Sequence, residues 1–504
     1  MSINPTYPGV YIQELPATAR TIIGVATSIT AFVGSALKGP TDKSTLIHSY
    51  ADYMRIFGGL WKKSNMSYAV YQYYQNGGVD AVIVRVALNA SEATFTSAKT
   101  SLKLKASNPG LWGENLQIVV TAADSEKLTE DPTYFNLIVQ RKSDGVVLEM
   151  FRNVSLNPEN PRYIGKLLVD GVSTYLRVDG AIPSSTVPLP DDSDYQSNSV
   201  ASDGTYPDAT TIIGNPDTKT GIYALKNADM FNLLCIPAFD ENDQTRTNVY
   251  TDALEFCDEK RAILLVDPQQ DWNTKDSIIT NLSSYISRDK NGAIYFPRII
   301  AADPLQEYRL RDFDPCGVVA GVIARTDAQR GVWKAPAGIE ATLVGVPDLA
   351  VRMTDQENGD LNPLGINCLR ILPDAGRVIW GSRTLRGADS LADQWKYLPV
   401  RRMALYIEES LYRGTQWVVF EPNDEKLWSQ IRLNVGAFMH SLFIKGAFQG
   451  TDPKQAYLVK CDSETTTQTD IDSGIVNILV GFAPLKPAEF VIIQIQQLAG
   501  QESQ

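Results

Sequence analysis

Proton transfer near neutral pH usually falls to histidine, and this 504-residue chain has two, His48 and His440, in opposite terminal segments. The stretch from about 206 to 380 holds none, so a Ser-His-Asp triad housed there is excluded. No G-x-S-x-G elbow, G-x-x-x-x-G-K-[ST] phosphate loop or H-E-x-x-H zinc pair occurs. Asp303, Glu307, Asp312 and Asp314 could supply the paired carboxylates of a glycosidase. An acidic chain always offers such pairs, so they carry little weight. Asp355, Glu357, Asn358 and Asp360 read as a solvated acidic loop rather than a cation site. Asp191, Asp192 and Asp194 lack a bidentate Glu in register for calcium. Cys235, Cys257, Cys316, Cys368 and Cys461 are widely spaced, odd in number and form no C-x-x-C. That pattern suits reduced thiols packed as small apolar groups. No residue is therefore assigned a catalytic, cofactor or metal role. The one enzymatic alternative is a divergent acidic hydrolase with an unrecognised carboxylate site.

The elements that would have to position any site alternate between helix and strand. Ala31-Phe32-Val33-Gly34 reads as a strand, and Asn65 to Gln75 as a helix stopped by Asn76-Gly77-Gly78. Ala81 to Val86 follows as a buried strand. Between Thr94 and Arg177 the texture changes to short alternating runs, such as Leu116–Val120 and Phe135–Val139, with a hairpin turn at Ser143-Asp144-Gly145. Residues 178–218 contain no Lys or Arg, and their middle, with Pro183, Pro188, Pro190 and Asp191, reads as an exposed acidic linker or long loop. Phe231–Pro237, Ala262–Asp267 and Ala293–Pro297 are near-continuous apolar runs, the mark of parallel strands covered on both faces. Pro399 to Tyr412 reads as a helix ending at Gly414, followed by a strand Gln416–Phe420. A long helix capped by Asn423 or Asp424 comes next, carrying Leu427, Trp428, Ile431, Val435, Phe438, Leu442 and Phe443.

Composition narrows the class. With 44% hydrophobic and 21% charged residues the chain is an ordinary globular protein, long enough for about three domains. Its 46 basic residues against 58 acidic ones leave a net charge of −12, which disfavours nucleic acid as a partner. Thr21 to Leu37, the longest uncharged apolar stretch near the start, is broken by Thr, Ser and Gly and suits buried strands better than a membrane span. Met1 to Pro8 is polar and proline-punctuated, unlike an export signal, so synthesis in a cytoplasm is expected.

Both chain ends are competent to form strands, uncharged over several residues and set off by proline. Val10, Tyr11, Ile12 and Gln13 lie between Pro8 and Pro16; Phe490, Val491, Ile492, Ile493, Gln494 and Ile495 follow Pro484 and Pro487. A loose apolar strand is an aggregation liability in a monomer. Pairing of each end within its own domain is one reading; addition to the sheet of a neighbouring subunit is the other.

Several ordered blocks resemble the contractile tail sheath family of bacteriophages and phage-like contractile injection systems. They include Tyr7–Tyr11, Thr27–Pro40, Phe57-Gly58-Gly59, Val84-Arg85-Val86 and Ala106–Leu116. Pro315–Pro336, Trp380–Leu385, Ile407–Asn423, Lys460-Cys461-Asp462 and Ala483–Phe490 complete the set. The resemblance implies a structural subunit, not an enzyme. Such subunits stack as hexameric rings around an inner tube, bounded by baseplate and terminator or cap proteins, and contract to drive the tube through a target envelope. It also implies an α/β multidomain fold: interlocking arms at 1–20 and 488–504, and the family's conserved inner α/β domain built from both ends, at 21–90 and 381–487. A β-rich outer insertion would occupy 91–205, and a subtilisin-like α/β domain without catalysis 206–380. The arm role falls on the two terminal runs named above. The helix from Asp424 to Gly446 is expected to face the tube, with Lys426 and Arg432 meeting opposite charge. No cofactor, nucleic acid or inserted membrane is implied. The host particle would be a phage tail or a released or anchored injection device assembled in a bacterial cytoplasm.

Overall fold

The structure, a computed structural model, describes residues 21–96, 102–130, 134–183, 196–197, 201–239 and 246–494. The chain forms two compact units. The larger takes Thr27–Gln329 with Ala335–Leu398; the smaller takes 21–26, Arg330–Lys334 and 399–494 among the described residues.

The larger unit is built on an eight-stranded sheet. Its order is Gly376–Ile379, Ile366–Leu372, Gly292–Phe296, Ile263–Val266, Leu233–Cys235, Thr30–Gly34, Ala81–Arg85, Thr45–Ile47. The six inner strands run parallel, and the two edge strands are antiparallel. Parallel strands need both faces covered, which is why Thr30–Gly34, Ala81–Arg85, Ile263–Val266 and Gly292–Phe296 are buried throughout. The helices Asn65–Gln75, Arg246–Lys260, Lys275–Tyr285 and Cys316–Arg330 belong to the same unit.

This sheet corrects one expected boundary. Residues 27–90 share the larger unit with 381–398 and not with 399–487. Thr30–Gly34 pairs with Ala81–Arg85 on one side and with Leu233–Cys235 on the other, so these strands belong to the sheet of the middle segment. Leaving that sheet would expose the fully buried Ala31, Phe32 and Val33 and break two ladders at once. Of the expected N-terminal part, among the described residues only 21–26 belong with the C-terminal segment.

Arg85 closes the sheet at its strand end. Its guanidinium is buried and donates to the carbonyls of Ala36 (3.0 Å), Gly39 (2.6 Å) and Pro109 (2.8 Å), tying the sheet to two loops. Burial pulls its pKa down to about 10. Arg85→Met should destabilise the protein by about 2–3 kcal/mol, because two buried carbonyls and one partly buried one lose their donor at roughly 1 kcal/mol or more each. Chemical denaturation reads that directly; a loss under about 1 kcal/mol would mean water replaces the guanidinium.

Residues 94–197 form two further antiparallel sheets. One has the order Gln196–Ser197, Thr94–Thr96, Leu104–Ala106, Leu176–Val178; the other is Leu116–Ala122, Phe135–Arg141, Val147–Val154. Strict alternation puts Leu116, Ile118, Val120, Phe135, Leu137 and Val139 into a core separate from that of the large sheet. A small third sheet joins Arg309–Phe313, Ile299–Asp303 and Asp348–Leu349.

The smaller unit packs the helices Leu398–Gly414 and Glu425–Ile444 around Met403, Ile407, Trp428, Ile431, Val435 and Phe438. Asp424 is the cap of the second helix, its carboxylate accepting from the Leu427 N–H at 2.9 Å. A hairpin of Tyr457–Lys460 with Leu479–Phe482 completes the unit. The expected strand Gln416–Phe420 is absent. Gln416–Val418 is instead a 3-10 turn, with the N–H groups of Val418, Val419 and Glu421 bonded to carbonyls three residues earlier. Trp417 and Val418 pack on the core while Val419 and Phe420 point to solvent, so the apolar run is split between two directions. Among the described residues no helix is long and apolar enough to cross a membrane.

Candidate assembly surfaces

The residues that could have carried catalysis are occupied structurally. His48 meets Asp80 at 2.7 Å on an exposed surface of the larger unit, and His440 meets the Tyr457 hydroxyl at 3.2 Å in the smaller one. Asp303 is buried, yet its pKa is held below the usual carboxylate range by donors from Tyr68 (2.8 Å), Leu305 (2.9 Å), Gln306 (2.8 Å) and Arg311 (3.2 Å). Asp312 pairs with Arg298 at 2.8 Å, and exposed Glu307 reaches Arg309 at 3.6 Å. Glu357 forms a capping box with Thr354, and Asp355 binds Arg370 at 2.8 Å. Among the described residues no group of three His, Cys, Asp or Glu is placed to hold a metal. All five cysteines are buried free thiols.

Sequence reasoning missed a buried ionic cluster at the carboxyl ends of the parallel strands, where α/β sheets often bind ligands. Asp267 directly follows the strand Ile263–Val266, and Asp314 directly follows the strand Arg309–Phe313, two residues before the helix Cys316–Arg330. Asp314 accepts from the Ala238 N–H (2.6 Å), from Arg246 (3.3 Å) and from Arg298. Asp267 accepts from the Cys316 N–H at 2.8 Å and stands 3.8 Å from Arg246. Arg246, Asp267 and Asp314 are essentially without solvent contact, so they cement the strand ends rather than open a site. Burial, reinforced by the neighbouring Asp314 charge, pushes the Asp267 pKa well up. At Asp314 burial works the same way, but the Arg246 and Arg298 guanidiniums outweigh it and hold the carboxyl below its ordinary value. The sequence signal was an Asp closing an apolar run, which looks the same as a turn residue.

The smaller unit carries surfaces of another kind. Phe490, Val491, Ile492 and Ile493 are between 74% and 84% exposed and form no ladder, as is also true of exposed Gln494. Ile495 and the run Val10, Tyr11, Ile12, Gln13 lie outside the described residues. Among the described residues the hairpin is a sheet of two strands; its inner residues Tyr457, Val459, Val480 and Phe482 pack on the core but stay partly exposed, and Leu458 and Leu479 face out. A two-stranded ribbon is marginal alone and presents two open edges.

On the helix Glu425–Ile444 the exposed stripe runs through Lys426, Gln430, Leu433, Ala437, Ser441 and Ile444. Lys426 projects from it. Arg432 is engaged at home: it binds Glu425 at 2.6 Å and also donates to the Cys461 carbonyl. Of the two cations expected to face the tube, Lys426 is exposed and Arg432 is partly buried with partners within the chain.

Comparison with known proteins gives these surfaces a family. Residues 212–385 match the phage tail sheath protein central domain, and 391–497 match the phage tail sheath C-terminal domain. A prophage major tail sheath protein of Pseudomonas aeruginosa (strain UCBPP-PA14) is 26% identical over 172 residues, 34% of this chain and 42% of that protein. The tail sheath protein of Enterobacteria phage T4 is 25% identical over 155 residues, 31% of this chain. The match spans less than half of either relative, 22% in the phage T4 protein. Among solved structures, a sheath complex of the PVC extracellular contractile injection system in its contracted state superposes with a TM-score of 0.61 at 22% identity, over 98% of this chain and 99% of that one. A chain of the anti-feeding prophage baseplate gives 0.60 at 24% identity over the same shares. A sheath tail protein of Listeria innocua gives 0.60 at 15% identity, over 92% of this chain and 96% of its own. The chain belongs to the contractile phage tail sheath family.

Proposed function

We propose that the chain is the structural, non-catalytic subunit of a contractile sheath, polymerising as stacked hexameric rings around an inner tube and re-packing to drive that tube through a target envelope. The observation that carries the reading is the segment Phe490–Ile493, uncharged, exposed and unpaired, in the same unit as a two-stranded sheet with open edges. Arms from neighbouring copies, Val10–Gln13 and Phe490–Ile495, would complete that sheet by strand addition. Each added strand contributes ladder bonds at roughly 0.5–1.5 kcal/mol net apiece, so one arm is a weak link. Two arms per subunit in a closed ring act at high effective concentration and make a strong one. Contraction is then a shift between two packings of the body surfaces while the arms keep subunits connected.

In this reading the partners are other copies, an inner tube protein, and baseplate and cap proteins. Assembly takes place in the bacterial cytoplasm, and the product is a phage tail or an extracellular injection particle. The middle segment is subtilisin-like without its catalysis, and the two antiparallel sheets of 91–205 face outward. The helix Glu425–Ile444 faces the tube through its exposed stripe, with Lys426 as its free cation.

Mixed with its inner tube protein, the full chain should co-sediment as a coated tube; failure to coat under any polymerising condition would count against the reading. Lys426→Glu should weaken that coating at low salt by about tenfold, since reversing a rim charge acts mainly on encounter and salt dependence. Arg432→Glu also breaks the local Glu425 pair, so Lys426 is the cleaner probe. Undiminished coating by Lys426→Glu removes the helix from the tube interface.

A further inference from the structure

Within the larger unit, a cleft of about 540 Å³ opens between the loop 38–46 and the segments that carry Trp112 and Tyr175. That volume suits a small ligand. Hydrogen bonds fix its walls. Arg85 donates to the carbonyls of both Gly39 and Pro109, joining the loop to the turn that carries Asn108 and Trp112. The Trp112 indole N–H donates to the Pro109 carbonyl at 3.3 Å. The Ser107 N–H and hydroxyl donate to the carbonyls of Tyr175 (2.9 Å) and Thr174 (2.6 Å), which fastens the remaining wall. Lys38, Lys43, Arg55 and Arg177 line the cleft with one carboxylate, Asp170, although the chain carries a net charge of −12. Asp170 binds Arg177 and stands 3.4 Å from Lys43, while Arg55 turns to Asp52 at 3.0 Å. Lys38 meets no carboxylate among the described residues; its ammonium lies 5.5 Å from the centre of the Tyr175 ring. Burial, followed by the nearby Arg141 charge, pulls its pKa down.

We propose that this cleft binds an acidic sugar, a single ring bearing a carboxylate or phosphate, with the anion at Lys38 and the ring against Tyr175 and Trp112. The site goes beyond the sheath reading and does not rest on it. Three observations choose the ligand. A lysine half removed from water and set beside a second cation gains more from an anion than an exposed lysine does. Trp112 and Tyr175, half-buried with ring centroids 6.4 Å apart, offer an apolar surface to the C–H face of a ring. The hydroxyls of Ser44 and Thr174 and the side-chain carbonyl of Asn108 also line the cleft and make no hydrogen bond to the described residues. Sugar hydroxyls would satisfy them, whereas the hydrocarbon part of a simple organic acid would not. Walls tied together before binding lower the ordering cost of capture.

Titration calorimetry of the full chain with glucose 6-phosphate, glucuronate, glucose and inorganic phosphate, at constant ionic strength, tests the site. One of the two acidic sugars should bind about tenfold or more tighter than glucose or inorganic phosphate, and the tighter of the two identifies the anionic group. Lys38→Met should weaken that binding about tenfold and leave the melting temperature unchanged or higher, because it keeps the packing of the stem and removes an unpaired charge. Lys38→Gln serves as a second variant should the first fold poorly. Lys445→Gln, at an exposed position of the smaller unit, should bind as the parent does. Binding of neither acidic sugar below about 10 mM overturns the proposal, as does undiminished binding by a folded Lys38 variant. Inorganic phosphate binding as tightly as the sugars would overturn recognition of the ring.

Discussion

Removal of residues 488–504 is expected to leave a folded, soluble subunit that no longer polymerises. Phe490–Ile493 make almost no contact within the chain, so their loss removes little burial and should shift the melting temperature only slightly. Each of these side chains would gain roughly 1.5–3 kcal/mol if fully covered in an assembly. Losing four of them together with the ladder of one strand should lower subunit affinity by well over a hundredfold, beyond what other contacts can restore at ordinary concentrations. Removal of residues 1–16 is expected to act the same way. Sedimentation and microscopy of both truncations, singly and combined, check this; tubes persisting after both would show that body surfaces alone hold the lattice.

The second large effect lies in the buried cluster, where two carboxylates on one arginine should respond oppositely. Asp314→Asn leaves Arg246 and Arg298 buried opposite a neutral amide and should cost about 3–5 kcal/mol, the range for breaking a buried ion pair. Asp267→Asn should cost little. Its Oδ1 can still accept from the Cys316 N–H, and the folded state already disfavours the Asp267 charge. The pH dependence gives an independent reading. Because folding raises the Asp267 pKa, the native state retains a proton that the unfolded chain releases near pH 4, so stability falls as pH rises above that point. Asp267→Asn should flatten that decline and equal or exceed the parent in alkaline buffer. Asp314, with its pKa lowered, contributes in the opposite direction: its share is present above the ordinary carboxylate pKa and is lost as pH falls through the folded value. Melting curves of the arm-truncated subunit between pH 5 and 9 isolate both effects from polymerisation. A severe loss in Asp267→Asn would mean that this carboxylate is ionised and paired with Arg246.

Local pattern and long-range pairing were not equally legible in the sequence. Ala262–Asp267 reads as a covered parallel strand because continuous apolar runs have no other stable home, and Asn65–Gln75 reads as a helix from spacing and its Asn76-Gly77-Gly78 stop. Both depend on neighbours within a few residues. The placement of Thr30–Gly34 beside Leu233–Cys235 depends on residues about 200 positions away, and nothing local distinguishes that partner from one near the C-terminus. Gln416–Phe420 shows the converse failure. Its composition suits a strand, but Trp417 and Val418 fill the core edge while, among the described residues, no strand pairs with it to complete a ladder. The candidate assembly segments were legible as uncharged, proline-bounded termini. The shared arginine of Asp267 and Asp314 was not, since ion pairing is a property of the folded chain.

Electron microscopy of the purified full-length chain without partners tests the central claim most directly. Long, regular, hollow tubes of uniform width are expected, formed by the chain alone and lost on truncation at 488. Uniform small particles that stay small after the inner tube protein is added would contradict the account.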